Sequence, residues 1–135
     1  MTSPVLLDAS FWIALRDARE PWHSRARQAT EKLFRTRTRM VFTSFILAET
    51  HAYFSRSPAL RQQILDDADK NLALRWEPVL PSDETDAVAL LRQHRDKEYS
   101  LCDAISFVLM QRLGIRRAAS FDQHFRQVGG IELVD

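Results

Sequence analysis

Four acidic residues, spread over most of the chain, could together hold a divalent cation. Asp8 ends a short apolar segment, Asp122 follows another, and Glu49 and Asp103 lie in the opening turns of two predicted helices. If brought together, these carboxylates would repel one another strongly without a cation. Oxygen ligands with no accompanying cysteine and histidine cluster favour magnesium or manganese over zinc. An ion held in this way can activate water and neutralise a phosphate, which is the chemistry of phosphodiester cleavage.

Two of the acids, Asp103 and Asp8, also have a simpler interpretation, which the sequence leaves open. Asp103 is the third residue of a helix that follows Ser100. Its carboxylate could therefore close a capping box and have no other role. Asp8 could be a turn residue or a helix cap. Glu49 follows Ile46 by three residues and falls within the predicted apolar stripe of its helix. We therefore expect Glu49 to lie where water is scarce.

The stretch from Ser100 to Gly114 is the clearest predicted element, and the rest of the site depends on it. Ser100 suits an N-cap, and Gly114 suits a left-handed C-cap. The helix between them is apolar on nearly every side and is expected to be buried. Only Asp103 and Ser106 interrupt its apolar part, and their spacing of three places them on one face. A buried carboxylate and hydroxyl need a partner.

Short apolar segments alternate with helical patterns, which predicts an α/β fold with a parallel sheet between two layers of helices. The predicted strands are Pro4–Asp8, Met40–Phe42, Leu72–Trp76, Ala118–Phe121 and Ile131–Val134. In such sheets, sites form beyond the carboxyl ends of the strands, near the point where the strand order reverses. The four acids could therefore converge there.

Two groups of acids in predicted helices are expected to have no functional role. Ser82 is predicted to cap a helix whose early acids and late basic residues match the helix dipole. The acids near the end of the helix that begins at Pro58 are expected to face solvent: Asp66, Asp67 and Asp69.

Length and composition indicate one domain, residues 1–135, with an ordinary core. Nineteen basic and eighteen acidic residues nearly cancel, so overall charge does not indicate a nucleic-acid partner. Cys102 is the only cysteine, which excludes an internal disulfide and fits a reducing compartment such as the cytoplasm. No apolar run approaches the ~20 residues of a membrane helix. The apolar segment before Asp8 lacks a preceding basic region and is not expected to be a signal peptide.

Four segments of the chain resemble the acidic motifs of PIN domains, in order and in spacing. They are Leu6-Leu7-Asp8-Ala9-Ser10, Phe42-Thr43-Ser44 through Ala48-Glu49, Ser100-Leu101-Cys102-Asp103-Ala104-Ile105-Ser106-Phe107, and Ser120-Phe121-Asp122-Gln123-His124-Phe125. The resemblance extends from about Leu6 to Val134. Chains of this length and pattern are similar to the VapC-type toxins of toxin–antitoxin pairs.

This resemblance implies a hydrolase, a Mg²⁺- or Mn²⁺-dependent ribonuclease built on a three-layer α/β/α fold with a central parallel five-stranded sheet. It implies catalytic and metal-binding roles for Asp8, Glu49, Asp103 and Asp122. It also implies supporting hydroxyl groups at Ser10, Ser106 and Ser120. The expected partners are an RNA substrate, a small antitoxin protein and a second copy of the chain.

Other functions are less consistent with the residues. A phospho-receiver domain would need adjacent acids after the first strand and a lysine after the last strand, but Lys97 is the last lysine of the chain. A haloacid-dehalogenase-type phosphatase would need an acid where Ser10 stands. A non-toxin PIN ribonuclease, or a non-catalytic PIN domain that binds RNA or protein, remains the alternative.

A cluster of carboxylates repels RNA, so a nuclease with nearly zero net charge needs a local basic rim. Two groups of arginines are the predicted candidates. The group near the strand that ends at Asp122 is preferred for its proximity in the chain. The first group is Arg112, Arg116 and Arg117, and the second is Arg35, Arg37 and Arg39.

Overall fold

A five-stranded, all-parallel sheet forms the centre of the molecule, as predicted; the structure is a computed structural model that describes residues 2–134. The strands are β1 (Val5–Leu7), β2 (Met40–Phe42), β3 (Leu74–Trp76), β4 (Arg117–Ala119) and β5 (Glu132–Val134). Seven helices among these residues connect the strands. They are α1 (Ala9–Arg16), α2 (His23–Arg35), α3 (Ser44–Tyr53), α4 (Pro58–Lys70), α5 (Pro81–Gln93), α6 (Leu101–Leu113) and α7 (His124–Gln127).

The strand order, β3-β2-β1-β4-β5, fixes where a site can form. From β1 the chain builds outward on one side to β3, and it then returns to the other side of β1 to add β4 and β5. The order therefore reverses between β1 and β4. The residues that follow these two strands meet beyond their carboxyl ends, where parallel sheets form their binding crevices.

The core lies around β1, whose side chains are completely buried. A strand covered on both faces needs a continuous apolar run, and Val5–Leu7 supplies one. Phe11 and Trp12 of α1, Phe42 of β2 and Phe125 of α7 are also fully buried around this strand. The residues that immediately follow β1 are thus held on a rigid support.

Helix α6 begins and ends as the sequence predicts. The Ser100 hydroxyl accepts a hydrogen bond from the Asp103 amide, and the Asp103 carboxylate accepts one from the Ser100 amide, each at 3.0 Å. Gly114 adopts a left-handed conformation with φ of 68° at the other end. Seven residues of the helix are buried, including Asp103 and Ser106.

The start of α5 differs from the prediction, which placed the cap at Ser82. The helix begins at Pro81, with Leu80 as the N-cap. Proline suits the first helical position because its φ is already helical and the N–H that it lacks would have no partner there. Asp83 instead accepts a hydrogen bond from the Leu80 amide at 2.8 Å. This carboxylate is almost completely buried.

Asp67 of α4 is buried, and the prediction that it faces solvent is wrong. It accepts hydrogen bonds from the indole N–H of Trp12 at 2.9 Å and from Nε of Arg16 at 2.8 Å. It lies three residues after Ile64, on the helix face that packs against the core. The carboxylate is tolerated there because a cation and a neutral donor both satisfy it.

None of the helices within residues 2–134 has the length and apolar character needed to cross a membrane. The longest of them have 13 residues, whereas a membrane helix needs ~20.

Candidate metal centre

Asp8 occupies the point where the strand order reverses. It follows β1 directly, and its amide donates to the carbonyl of Ala119 at the end of β4, at 3.0 Å. It is also the N-cap of α1, as one of the sequence interpretations allowed. Ser120 and Asp122 follow β4. The sheet therefore brings residues that are more than a hundred positions apart in the chain to one place.

All the hydrogen bonds that reach the Asp8 side chain converge on one of its two oxygens. Oδ2 accepts from the hydroxyl of Ser10 at 2.6 Å, from the hydroxyl of Ser120 at 2.9 Å and from the Ser10 amide at 3.3 Å. The Ser10 hydroxyl in turn accepts from the Phe121 amide at 2.9 Å. Within residues 2–134, no hydrogen bond is directed at Oδ1 of Asp8. Ser10 and Ser120 thus orient the carboxylate and leave one oxygen for another ligand.

The environment of Asp8 raises the pKa of its carboxyl group when no cation is present. Burial is the main cause, and it raises the pKa of Asp8 from 3.8 to about 6. The hydrogen bonds from Ser10 and Ser120 oppose this effect, while the negative charges of Asp103 and Asp122 add to it. The influence of these two acids shows that they lie within electrostatic reach of Asp8. A bound cation would offset both the burial and the repulsion.

Asp103 belongs to the same cluster while it caps its own helix. Its Oδ2 atom accepts the Ser100 amide and also lies 2.9 Å from Nδ1 of His124. The side chain is 8% exposed. The simpler interpretation of Asp103 is therefore correct as far as it goes, and it does not exclude a role in the cluster.

His124 is a member of the cluster that the sequence analysis did not select. Its Nδ1 atom lies 3.3 Å from Oδ1 of Asp122, and its amide donates to the same oxygen at 2.9 Å. One ligand atom each from Asp103, Asp122 and His124 lies within 4.8 Å of the others. The sequence did carry a signal, because an aspartate that receives the amide two residues later forms an Asx turn and draws that residue toward its carboxylate.

Glu49 is exposed, so the prediction that it lies where water is scarce is wrong. The buried positions of α3 are Ile46 and Thr50, while Tyr53 of the predicted apolar stripe is 49% exposed. Thr50 can occupy the buried face because its hydroxyl donates to the carbonyl of Ile46 at 2.8 Å. Glu49 is adjacent to Thr50 and consequently points away from that face.

Glu49 nevertheless acts electrostatically on Cys102, the residue before Asp103. Burial raises the pKa of the Cys102 thiol strongly, and the charge and hydrogen bonding of Glu49 raise it further. The charges of Asp8 and Asp103 contribute in the same direction. Cys102 therefore stays protonated, and its thiol is within electrostatic reach of Glu49, Asp8 and Asp103.

Ser106, the third predicted supporting hydroxyl, is buried on α6. Its Oγ atom has no hydrogen-bond partner among residues 2–134. It therefore differs from Ser10 and Ser120, both of which bond to Asp8.

The structure does not bring the six arginines of the predicted rim to the acids. Arg39 immediately precedes β2 and Arg117 begins β4, so their groups lie at the amino ends of the strands. Arg37, with φ of 55°, lies in a turn, so its group is not extended. The acids lie beyond the opposite, carboxyl ends.

Arg112 lies on α6, nine residues after Asp103, which corresponds to about 14 Å along a helix. Its guanidinium donates to both oxygens of Asp83, at 2.8 and 2.9 Å. This bidentate pair joins α6 to α5 and gives Arg112 a structural partner.

The residues present fit a divalent cation. Within residues 2–134, Asp8 has an oxygen that receives no hydrogen bond, and Asp103 and Asp122 lie within electrostatic reach of Asp8. Asp103 and Asp122 are close to each other and to His124. Carboxylate oxygens suit Mg²⁺ and Mn²⁺, and a single imidazole is compatible with Mn²⁺. The arrangement could hold a cation beyond the carboxyl ends of β1 and β4, where a substrate has access.

Comparisons with known proteins agree with this description. Residues 5–131 match the PIN domain family model. The chain is 32% identical over 131 residues to the "23S rRNA-specific endonuclease VapC20" of two Mycobacterium tuberculosis strains, covering 96% of this chain and 97% of the relative.

Two solved structures have the same architecture. The crystal structure of M. tuberculosis VapC20, described as a sarcin–ricin loop-cleaving toxin, superposes with a TM-score of 0.84 at 27% identity, over 97% of this chain and 99% of that one. VapBC2 from Rickettsia felis, bound to a DNA fragment from its promoter, gives a TM-score of 0.67 over 98% and 97% of the two chains. At 12% identity, this second match shows the fold alone. With a matching family model over nearly its whole length, a full-length relative and the parallel sheet described above, the chain belongs to the PIN-domain family.

Proposed function

We propose that this chain is a divalent-metal-dependent endoribonuclease and the toxin of a type II toxin–antitoxin pair. The observation that carries the proposal is the meeting of Asp8, Asp103 and Asp122 at the strand-order reversal. Hydrogen bonds hold Oδ2 of both Asp8 and Asp103, and none among residues 2–134 reaches the other oxygen of either carboxylate. Such an arrangement suits a carboxylate cage for a cation better than a purely structural network.

In this proposal, Asp8, Asp103 and Asp122 hold Mg²⁺ or Mn²⁺, with Glu49 closing the exposed side. When bound, such an ion supplies a water of lowered pKa and neutralises charge on the phosphate. Ser10 and Ser120 orient Asp8 and favour its charged form by hydrogen bonding. The buried Ser106 hydroxyl is proposed to support the site from α6. His124 holds Asp103 and Asp122 in a fixed relation.

The substrate that we propose is a loop of ribosomal RNA. This follows from the names of the M. tuberculosis relative, a 23S rRNA-specific endonuclease and a sarcin–ricin loop-cleaving toxin. A toxin of this class implies a small antitoxin protein as its partner. We further propose that the chain acts in the cytoplasm, where ribosomes are, and that it forms a homodimer, which light scattering of the purified protein tests.

The decisive experiment compares the wild-type protein with Asp8→Asn and Asp103→Asn on a stem-loop RNA that has the sarcin–ricin sequence, and on intact ribosomes. We expect cleavage at one position by the wild type with Mg²⁺ or Mn²⁺. Addition of EDTA should stop it, and both variants should be inactive while retaining cooperative thermal unfolding.

The Ser100→Ala variant is the matched control, because it weakens the cap of α6 and leaves every proposed metal ligand in place. It should cleave like the wild type at temperatures below its own unfolding transition. Cleavage that persists in both carboxylate variants or in EDTA would exclude the proposed metal centre as the source of activity.

A further inference from the structure

Trp22 is an exposed aromatic residue whose position the helix does not explain. The sequence pattern groups it with Ala26, Ala29 and Leu33, which are buried, but Trp22 is 44% exposed. It stands at the N-cap of α2 and makes no side-chain capping hydrogen bond. An N-cap position favours side chains that have an oxygen acceptor, which tryptophan lacks.

A stack of aromatic rings supports Trp22 from the core outward. The ring of Phe121 is stacked with that of Phe11, with centroids 5.3 Å apart and planes at 13°. It is also stacked with Trp22, at 5.5 Å and 12°. Phe11 is fully buried, Phe121 is half-buried and Trp22 is exposed. The indole is therefore held nearly parallel to two rings that are anchored in the core.

This stack passes through the loop that carries the candidate metal centre. Phe121 lies between Ser120, which donates to Asp8, and Asp122. The Phe121 amide donates to the Ser10 hydroxyl. Trp22 is thus one stacked ring away from residues that orient the acids. If the phosphate of a nucleotide lay at the acids, the base of a neighbouring nucleotide would lie near Trp22.

A cation accompanies the indole. The guanidinium carbon of Arg25 lies over the Trp22 ring, 5.2 Å from its centroid. Stacked aromatic rings combined with arginine are the usual means of holding unpaired bases, because every base has a π face and the cation attracts the backbone. The six arginines of the rim predicted from the sequence lie elsewhere, whereas Arg25 lies beside the stack that passes through the loop of the acids.

Phe121 is stacked on the indole and the Arg25 guanidinium lies over the ring, so a base would stack on the part of the Trp22–Arg25 surface that remains exposed. We propose that this surface of Trp22, together with Arg25, is a stacking platform for an unpaired base that flanks the cleaved phosphate. This inference rests on the proposed ribonuclease function. It makes Trp22 a binding residue that contributes to substrate choice, because a base must be unstacked from the RNA to reach it.

The test measures binding of the stem-loop RNA to proteins that also carry Asp103→Asn, so that the RNA is not cut. Trp22→Ala should weaken binding about 5- to 150-fold, with the dependence on salt unchanged, because no phosphate contact is lost. Trp22→Phe should retain most of the affinity. Trp22→Leu, which keeps apolar cover over Phe121 and removes the π face, should bind as weakly as Trp22→Ala.

Phe34→Ala is the matched control. Phe34 is 71% exposed on the same helix, about 18 Å from Trp22 along its axis, and its removal should not affect binding. An RNA with an abasic nucleotide beside the cleavage position should bind the protein with Trp22 more weakly than intact RNA does. With Trp22→Ala, the two RNAs should bind equally.

Equal binding by the Trp22→Leu and Phe34→Ala proteins would overturn the platform, as would a change in oligomeric state without a change in RNA affinity, which would make Trp22 a protein contact. In either case, cleavage by the wild-type protein would leave the ribonuclease function standing. If the wild type neither binds nor cleaves RNA, both proposals fail.

Discussion

Nδ1 of His124 lies 2.9 Å from Oδ2 of Asp103 and thereby joins helix α6 to the start of α7. The same nitrogen is 3.3 Å from Asp122. Two carboxylates that repel each other are thus fixed around one imidazole. The arrangement resembles the outer contacts that orient metal ligands, in which a hydrogen-bonded partner holds each ligand at its proper angle.

We therefore expect His124→Ala to weaken Mn²⁺ binding about 10- to 100-fold. His124→Asn, which can still donate a hydrogen bond toward Asp103, should recover part of the loss. Titration calorimetry with Mn²⁺ measures both. His51→Ala on α3 is the control for the loss of a histidine elsewhere. Unchanged Mn²⁺ affinity in His124→Ala would show that His124 does not orient the acids.

Asp103 caps α6 and is also a proposed metal ligand, and two variants separate these roles. Ser100→Ala removes the hydroxyl that caps α6 and should destabilise the protein by about 1 kcal/mol, while the stabilisation by a divalent ion is retained. Asp103→Asn can still accept the Ser100 amide, relieves repulsion from Asp8 and removes a metal ligand. Its metal-free form should be as stable as the wild type or more stable.

Thermal unfolding in EDTA and in excess Mg²⁺ tests this comparison. At a concentration 100 times the dissociation constant, the ion should stabilise the wild type and Ser100→Ala by about 2.7 kcal/mol, and Asp103→Asn much less. Equal stabilisation of Ser100→Ala and Asp103→Asn by Mg²⁺ would show that Asp103 caps α6 and does not bind the metal.

The raised pKa of Asp8 predicts how the stability of the metal-free protein depends on pH. Folded protein binds the proton more tightly than the unfolded chain, since the pKa is about 6 in the former and 3.8 in the latter. The stabilising contribution is therefore fully present below pH 3.8 and is lost as pH rises through 6. From pH 4.5 to 7.5 the loss should be about 2 kcal/mol.

Urea unfolding in EDTA at these two pH values measures this loss. Asp8→Asn should lack it, so the difference between wild type and variant is the quantity to compare. Asp17 and Asp83, whose pKa values are lowered, act below this range and do not disturb the comparison. Parallel pH profiles for the two proteins would contradict the burial of a charged Asp8.

The predictions that succeeded depend on local sequence or on the direction of strands. Helix α6 carries its own N-cap, capping-box partner and C-terminal glycine, so its ends could be read from residues 100–114. Asp8 and Asp122 follow strands, and the carboxyl ends of parallel strands lie at one edge of the sheet. Three-residue apolar runs were sufficient to locate strands that are buried on both faces.

The predictions for Asp67 and Glu49 failed because the apolar pattern alone does not decide which residues of a helix are buried. The burial of Asp67 requires Trp12, which is 55 residues away in the chain. The exposure of Glu49 follows from the burial of Thr50, a polar residue whose hydroxyl is satisfied within its own helix. The RNA-binding role of the arginine groups stays a prediction. These groups precede strands, so parallel strands place them at the edge opposite the acids.

The pair formed by Arg112 and Asp83 gives a last prediction, which distinguishes a structural arginine from one that binds RNA. Asp83 is almost fully buried, and the hydrogen bond from Arg112 lowers its pKa. Arg112→Met leaves that carboxylate without its cation and should destabilise the protein by about 2–3 kcal/mol, less than for a fully buried pair because the arginine side chain is 32% exposed. Adding Asp83→Asn should restore much of the loss.

Urea unfolding of the two single variants and the double variant measures this coupling. RNA binding is measured in proteins that also carry Asp103→Asn. Replacing Arg112 should leave the affinity and its salt dependence unchanged, because the Arg112 side chain lies near the end of α6 and is paired with Asp83 of α5. An arginine that contacted a phosphate would instead reduce the salt slope by about 0.7 on replacement. A reduced salt slope with unchanged stability would therefore show that Arg112 contacts RNA and does not stabilise the α5–α6 contact.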